Sequence, residues 1–126
     1  MPGVKKLENG IQWSIGNKLI QQTMALQDGQ FVCISLRDKA RKREWIHPLA
    51  SSDESLLQIA LGEETVTLTG KAGWRYVGHN LSQGEGPLNT LAITLESTQY
   101  PVRLTRHYVW PDTLPVIRQW SVLENT

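Results

Sequence analysis

The stretch that decides the fold class is residues 101–126, which read PVRLTRHYVWPDTLPVIRQWSVLENT. Hydrophobic and polar residues alternate in two runs, and a period of two with β-branched and aromatic residues is typical of β-strands. Pro111, Asp112 and Pro115 separate the runs and favour a turn, because proline fixes φ and has no N–H for a sheet. The alternating residues are Val102, Leu104, Tyr108 and Trp110 in the first run and Val116, Trp120 and Val122 in the second.

Similar alternation recurs along most of the chain. Asp28-Gly29 is a favourable hairpin pair, and residues 62–64 separate two further runs. Only residues 51–57 offer a short helical turn. Short strands at intervals of roughly 8–12 residues predict an all-β fold, and we expect an antiparallel β-sandwich. The expected strands cover residues 11–15, 19–26, 31–36, 56–61, 65–69 and 91–96.

Composition restricts the function classes. The 13 Lys and Arg against 12 Asp and Glu leave a net charge of +1, so there is no electrostatic case for a nucleic-acid partner. Cys33 is the only cysteine, which excludes an internal disulfide, and its apolar neighbours predict a core position. The N-terminus has no apolar signal region and no run approaches about 18 apolar residues. We therefore expect a soluble cytoplasmic protein that does not enter a membrane.

Domain organisation follows from length and from the last strand. A chain of 126 residues fits one domain with a real core. The sequence stops directly after a strand, and a terminal strand needs a partner for its open backbone groups. We expect residues 1–126 to form one β-sandwich domain that is the N-terminal part of a larger protein.

Two segments resemble a known family. Residues 102–126, VRLTRHYVWPDTLPVIRQWSVLENT, and residues 75–81, RYVGHNL, followed by PLNTL at 87–91, are similar to the N-terminal β-sandwich of glycoside hydrolase family 36, the α-galactosidase and melibiase type. The resemblance covers roughly residues 74–126. It implies part of a galactose mutarotase-like supersandwich that packs against a following catalytic barrel, shapes the sugar site or mediates homo-oligomerisation. The family's catalytic residues belong to the barrel, so none carries over.

The residues themselves indicate no catalytic or metal centre. A glycosidase needs two facing carboxylates, roughly 5–10 Å apart, whereas the carboxylates here are scattered among turns and loops. His47, His79 and His107 lie far apart in the sequence, without metal-ligand spacing. We expect a non-catalytic chain without cofactor or metal. A self-sufficient carbohydrate-binding module is the alternative, and an enzyme similar to aldose epimerases is a third reading.

The five tryptophans are the remaining signal. Trp13 and Trp120 lie in alternating runs, and we expect them to fill space in the sandwich. Arg106 and Arg118 share strand parity with aromatic residues and predict an Arg-aromatic ladder across the hairpin. Trp45 and Trp74 fall in the long irregular regions predicted at 38–54 and 70–87. We expect one of them to be exposed, without measurable sugar binding by the chain alone. The candidate residues for contact with carbohydrate or a partner domain are Trp45, His47, Trp74, Arg75, His79 and Asn80.

Overall fold

The computed structural model describes residues 3–7, 10–39, 41–45, 52–53, 56–61, 64–69, 73–83 and 86–126. All regular secondary structure in these residues is β, which confirms the predicted fold class. None of the described residues forms a helix long and apolar enough to cross a membrane. In chain order the strands are β1 (Gly3–Leu7), β2 (Gly10–Gly16), β3 (Ile20–Gln27), β4 (Gln30–Asp38), β5 (Arg43–Glu44), β6 (Ser52–Asp53), β7 (Leu56–Leu61), β8 (Glu64–Thr69), β9 (Trp74–Ser82), β10 (Leu88–Ser97), β11 (Val102–Pro111) and β12 (Arg118–Asn125).

Two antiparallel sheets form the sandwich. The first has the order β1-β2-β3-β4-β5, with β6 paired to β4. The second has the order β12-β11-β10-β9. Strands β7 and β8 form a separate hairpin in which Leu61 lies opposite Glu64, as the turn signal at 62–64 predicts. The described residues of the one helical candidate, 51–57, lie in β6 and β7, in line with the expected all-β fold.

The turn between β3 and β4 has the predicted Asp-Gly chemistry. Asp28 and Gly29 have φ angles of 52° and 79°, and they connect Gln27 to its partner Gln30. Two successive positive φ angles match the right-handed twist of the flanking strands. The backbone N–H of Trp74 donates to the carbonyl of Gly29 at 2.7 Å, so this turn also joins the start of β9.

The core lies between the inner faces of the two sheets. Trp13 packs edge-on against Phe31, with ring centroids 6.2 Å apart. Cys33 is buried, as predicted, and Val32 beside it is buried on the opposite face of β4. Each fully buried large apolar side chain contributes about 1.5–3 kcal/mol relative to exposure. The core contains Trp13, Ile15, Met24, Leu26 and Phe31 from the first sheet, and Trp74, Leu91, Ile93, Leu95, Val102, Leu104, Tyr108 and Trp110 from the second.

The prediction of an irregular loop around Trp74 is wrong, and of Trp45 and Trp74 it is Trp45 that is exposed. Trp74 begins β9 and is only 2% exposed, and this strand occupies half of the loop predicted at 70–87. The pairing of β9 with β10 is irregular at Val77, where the register shifts by one residue. Because of this shift, β9 does not show a continuous period of two in the sequence. Before it Tyr76 lies opposite the core residue Leu95, and after it His79 lies opposite Ile93, so the inward parity changes within the strand.

The C-terminal strand also departs from the prediction. Trp13 is fully buried as expected, whereas Trp120 is 41% exposed. Trp120 lies opposite His107 on the outer face, and the two rings stack at 5.0 Å. The Arg106 guanidinium lies over Tyr108 on the core side and that of Arg118 lies over Trp120 on the outer side. Two separate pairs on opposite faces therefore replace the predicted ladder.

Gly10 provides a test of strand packing. A Cβ at Gly10 would lie 1.8 Å from the carbonyl oxygen of Leu26, so Gly10→Ala must displace the backbone of β3. We expect a loss of about 2–3 kcal/mol of unfolding free energy, typical of overpacking. Gly78→Ala is the matched control, because a Cβ there has no neighbour within 4 Å. Equal denaturation midpoints for the two variants would contradict this packing.

Candidate functional site

An open cleft of about 970 Å³ lies at one end of the sandwich. We call it the end cleft. The β2–β3 turn and Lys39, after β4, supply its wall from the first sheet. Residues from the second sheet and from the segment after β11 supply the other wall. The lining residues are Gly16, Asn17, Lys18, Leu19, Lys39, Gln83, Asn89, Trp110, Asp112 and Thr113.

The side chain of Asn17 forms hydrogen bonds with both walls of the end cleft. Its Oδ1 accepts hydrogen bonds from the backbone N–H groups of Leu19 at 2.8 Å and Ile20 at 3.2 Å, which closes the β2–β3 turn. Its Nδ2 donates to the carbonyl oxygens of Pro111 at 2.8 Å and Leu114 at 2.7 Å. One amide therefore satisfies local turn groups and holds the segment after β11 against the first sheet.

Two further polar residues are positioned by hydrogen bonds. The ammonium group of Lys39 donates to the backbone carbonyl of Asn17 at 2.8 Å. Asn89 is 3% exposed, and its Nδ2 donates to the Trp110 carbonyl at 3.2 Å and to the Asp112 carboxylate at 2.8 Å. These contacts hold a cation and a carboxylate at the lining of the end cleft in defined positions.

Trp45 lies beside a second, smaller cleft of about 390 Å³. Its ring is 55% exposed, and the Arg43 guanidinium lies 5.0 Å from the ring centroid. The small cleft shares Leu19 with the end cleft and is also lined by Asp38 and Arg41. The expected exposure of one loop tryptophan is thus found at Trp45. His47 lies outside the described residues.

The other sequence candidates do not gather at this end of the sandwich. Arg75 forms an ion pair with Glu96 on the outer face of β9, and Asn80 lies on the same face opposite Ala92. His79 points to the other face, where its Nδ1 lies 2.7 Å from the Tyr76 hydroxyl and its ring contacts Trp13 at 6.2 Å. Trp74 is in the core. These four candidates are therefore divided among three environments.

The polar side chains that line the end cleft can form hydrogen bonds with a bound molecule. Lysine ammonium groups donate, carboxylates accept, and amides and hydroxyls do both. Asp112 is the one carboxylate among the described residues that line the end cleft, whereas acid-base glycoside hydrolysis requires two. In the described part of the chain, no three His, Cys, Asp or Glu side chains come together as a metal site would require.

The sequence contained partial signals for this site. Gly16-Asn17 and Pro111-Asp112 are recognisable turns, but nothing in the sequence brings them together. Asn89 is an alternating residue of β10 with no chemical motif around it. Its role depends on lying opposite Trp110 in the neighbouring strand.

Replacement of Asn17 tests the connection between the walls. We expect Asn17→Asp to lower the unfolding free energy by about 1–3 kcal/mol, because a carboxylate would face two carbonyl oxygens that now accept hydrogen bonds. Lys18→Ala, at the exposed neighbouring position, is the control and should change stability by less than about 0.5 kcal/mol. Urea denaturation of both variants measures the difference. A wild-type midpoint for Asn17→Asp would show that the connection contributes nothing.

Comparison with known proteins finds no family model and no curated protein that matches this chain.

Proposed function

We propose that this chain is a non-catalytic N-terminal accessory domain of an α-galactosidase-like glycoside hydrolase. In this proposal the end of the sandwich that carries Trp45 and the end cleft packs against a catalytic barrel and helps to shape its sugar site. The family assignment comes from the resemblance of residues 74–126 to the β-sandwich of glycoside hydrolase family 36.

The observation that carries the proposal is the exposure of Trp45. Trp45 is 55% exposed, so a large part of its apolar ring is in contact with water. The Arg43 guanidinium over the ring fixes its orientation, and a stacked arginine-tryptophan pair is a common element of binding surfaces. A partner domain or a sugar would remove this ring from water.

The end cleft also supports a contact role for this end of the sandwich. Asn17, Asn89 and Asp112 are held by hydrogen bonds that do not depend on any ligand. A cleft with a few polar groups in fixed positions, adjoining the small cleft that Trp45 lines, is suited to sugars, which present hydroxyl groups at their edges and C–H groups on their faces.

An independent carbohydrate-binding module is the second candidate, and one observation favours it. Both walls of the end cleft come from this chain, so the cleft forms without a second domain. A module of this kind would bind sugar weakly, with a dissociation constant of about millimolar, because one stacked ring and a few solvated hydrogen bonds provide little net free energy.

Sugar titration separates the two candidates. Galactose, raffinose and an unrelated glucan are titrated while amide chemical shifts and tryptophan fluorescence are recorded. The accessory-domain proposal predicts no saturable change with the isolated chain, since the complete site would need the catalytic domain. Saturable shifts around Trp45 would contradict it and favour the module.

Two variants make the titration specific. Trp45→Ala must abolish any response that comes from the surface beside the clefts. Trp120→Ala is the matched control, because Trp120 is also exposed but lies on the outer face of the second sheet. A response lost in both variants would point to a general effect on the fold.

Catalysis provides a separate prediction. We expect the isolated chain to hydrolyse no nitrophenyl glycoside, including the α-galactoside, because Asp112 has no second carboxylate among the described lining residues of the end cleft. Release of nitrophenol is followed by absorbance. Turnover that persists through purification and disappears in Asp112→Asn would overturn the non-catalytic assignment.

A further inference from the structure

Strand β12 is an edge strand of the second sheet among the residues that the structure describes. It pairs with β11, and no described strand pairs with its other side. Seven of its eight residues are exposed, and Ser121 is half-buried. The exposed side chains include Trp120, Val122 and Leu123. An edge that pairs with no described strand and carries exposed apolar side chains is a template for the addition of another strand.

The pairing with β11 determines which amides face outward. Thr126 donates its backbone N–H to the carbonyl of Pro101 at 2.9 Å, at the position that continues the register from the Val102–Asn125 pair. Bonded and non-bonded pairs alternate along an antiparallel ladder. Residues 118, 120, 122 and 124 therefore direct their backbone groups towards β11, and residues 119, 121, 123 and 125 direct theirs to the open edge.

The side chains of β12 are complementary to a second copy of the same strand. Suppose that two copies pair antiparallel about a two-fold axis at Ser121. The backbone of Ser121 then forms hydrogen bonds with Ser121 of the partner, and the backbone of Gln119 does so with Leu123 of the partner. The residues whose backbone groups face the open edge thus form the hydrogen-bonded pairs, which alternate with non-bonded pairs as an antiparallel ladder requires. On the outer face, Arg118 lies opposite Glu124 of the partner. The opposite charges meet twice because of the symmetry.

The apolar side chains support the same register. Trp120 lies opposite Val122 of the second copy in this arrangement, and aromatic–β-branched pairs are among the favourable cross-strand pairs. These residues form non-bonded pairs, in which side chains approach most closely. A two-fold axis at Trp120 or Val122 would also pair the backbone amides that face the open edge. In those two registers, however, Arg118 does not lie opposite Glu124 of the partner.

We propose that β12 is a homodimerisation edge, on which a second copy of this chain adds antiparallel about Ser121 and joins two four-stranded sheets into one of eight strands. The pairing depends on two symmetric Arg118–Glu124 contacts and two Trp120–Val122 contacts. It is independent of the proposed role in carbohydrate metabolism, because the end cleft is not part of it.

Charge reversal tests the register directly. Sedimentation equilibrium of the wild-type chain should show a dimer whose population rises with concentration. Arg118→Glu and Glu124→Arg should each raise the dissociation constant about tenfold or more, since each variant creates two like-charge pairs. The double variant R118E/E124R restores opposite charges and should recover most of the affinity. Lys6→Glu, at an exposed position on the edge strand β1, is the control and should have no effect.

Hydrogen exchange identifies the interface independently of these variants. The amides of Gln119, Ser121 and Leu123 should gain protection as protein concentration rises, because they face the open edge in the monomer. A chain that stays monomeric to about millimolar concentration, or a dimer insensitive to charge reversal at both positions, would overturn the proposal. Protection of the same amides that is independent of dilution would also overturn it, since that result would assign the edge to a segment of the same polypeptide.

Discussion

The burial of one apolar face of each sheet against the other is the constraint on which the rest of this structure depends. Trp13 and Phe31 in the first sheet, and Tyr108 and Trp110 in the second, are fully buried in this layer. Side chains alternate between the two faces of a strand. Once the apolar side chains occupy the layer between the sheets, the remaining residues of these strands have to lie on the outer faces. This arrangement places Trp120 on the outer face and leaves the edge amides of β12 facing away from β11.

Asn17 adds directional contacts to this non-directional packing. Apolar burial alone allows the sheets to slide relative to one another, whereas hydrogen bonds to Pro111 and Leu114 require defined positions. A second polar contact between the two sheets joins β3 to β12, where the side-chain amide of Gln22 donates to that of Gln119 at 3.3 Å. The end cleft lies where the Asn17 contacts hold the two sheets together, so its shape follows from the same bonds that orient the sandwich.

The two exposed tryptophans lie in different environments and suggest different roles. Trp45 follows a two-residue strand, lines the small cleft and has an arginine over its ring. Trp120 lies within an edge strand, stacked on His107 and flanked by apolar and charged residues in a self-complementary order. The first environment is suited to a ligand or a partner domain, and the second to another strand. In the two proposals, one surface contacts a partner domain or a sugar and the other joins two copies of the chain.

The sequence by itself determined the all-β class, the Asp28-Gly29 hairpin and the core position of Cys33, because these depend on local alternation and turn chemistry. It also indicated that Trp45 or Trp74 is exposed, and the structure shows which of the two it is. Only the tertiary structure decided the positions of Trp74 and Trp120, because alternation does not identify the buried face and the irregularity at Val77 hides the strand. The end cleft was equally hidden. Its central contact joins Asn17 to Pro111 across 94 residues, and such a distance is closed by sheet packing and not by any local motif.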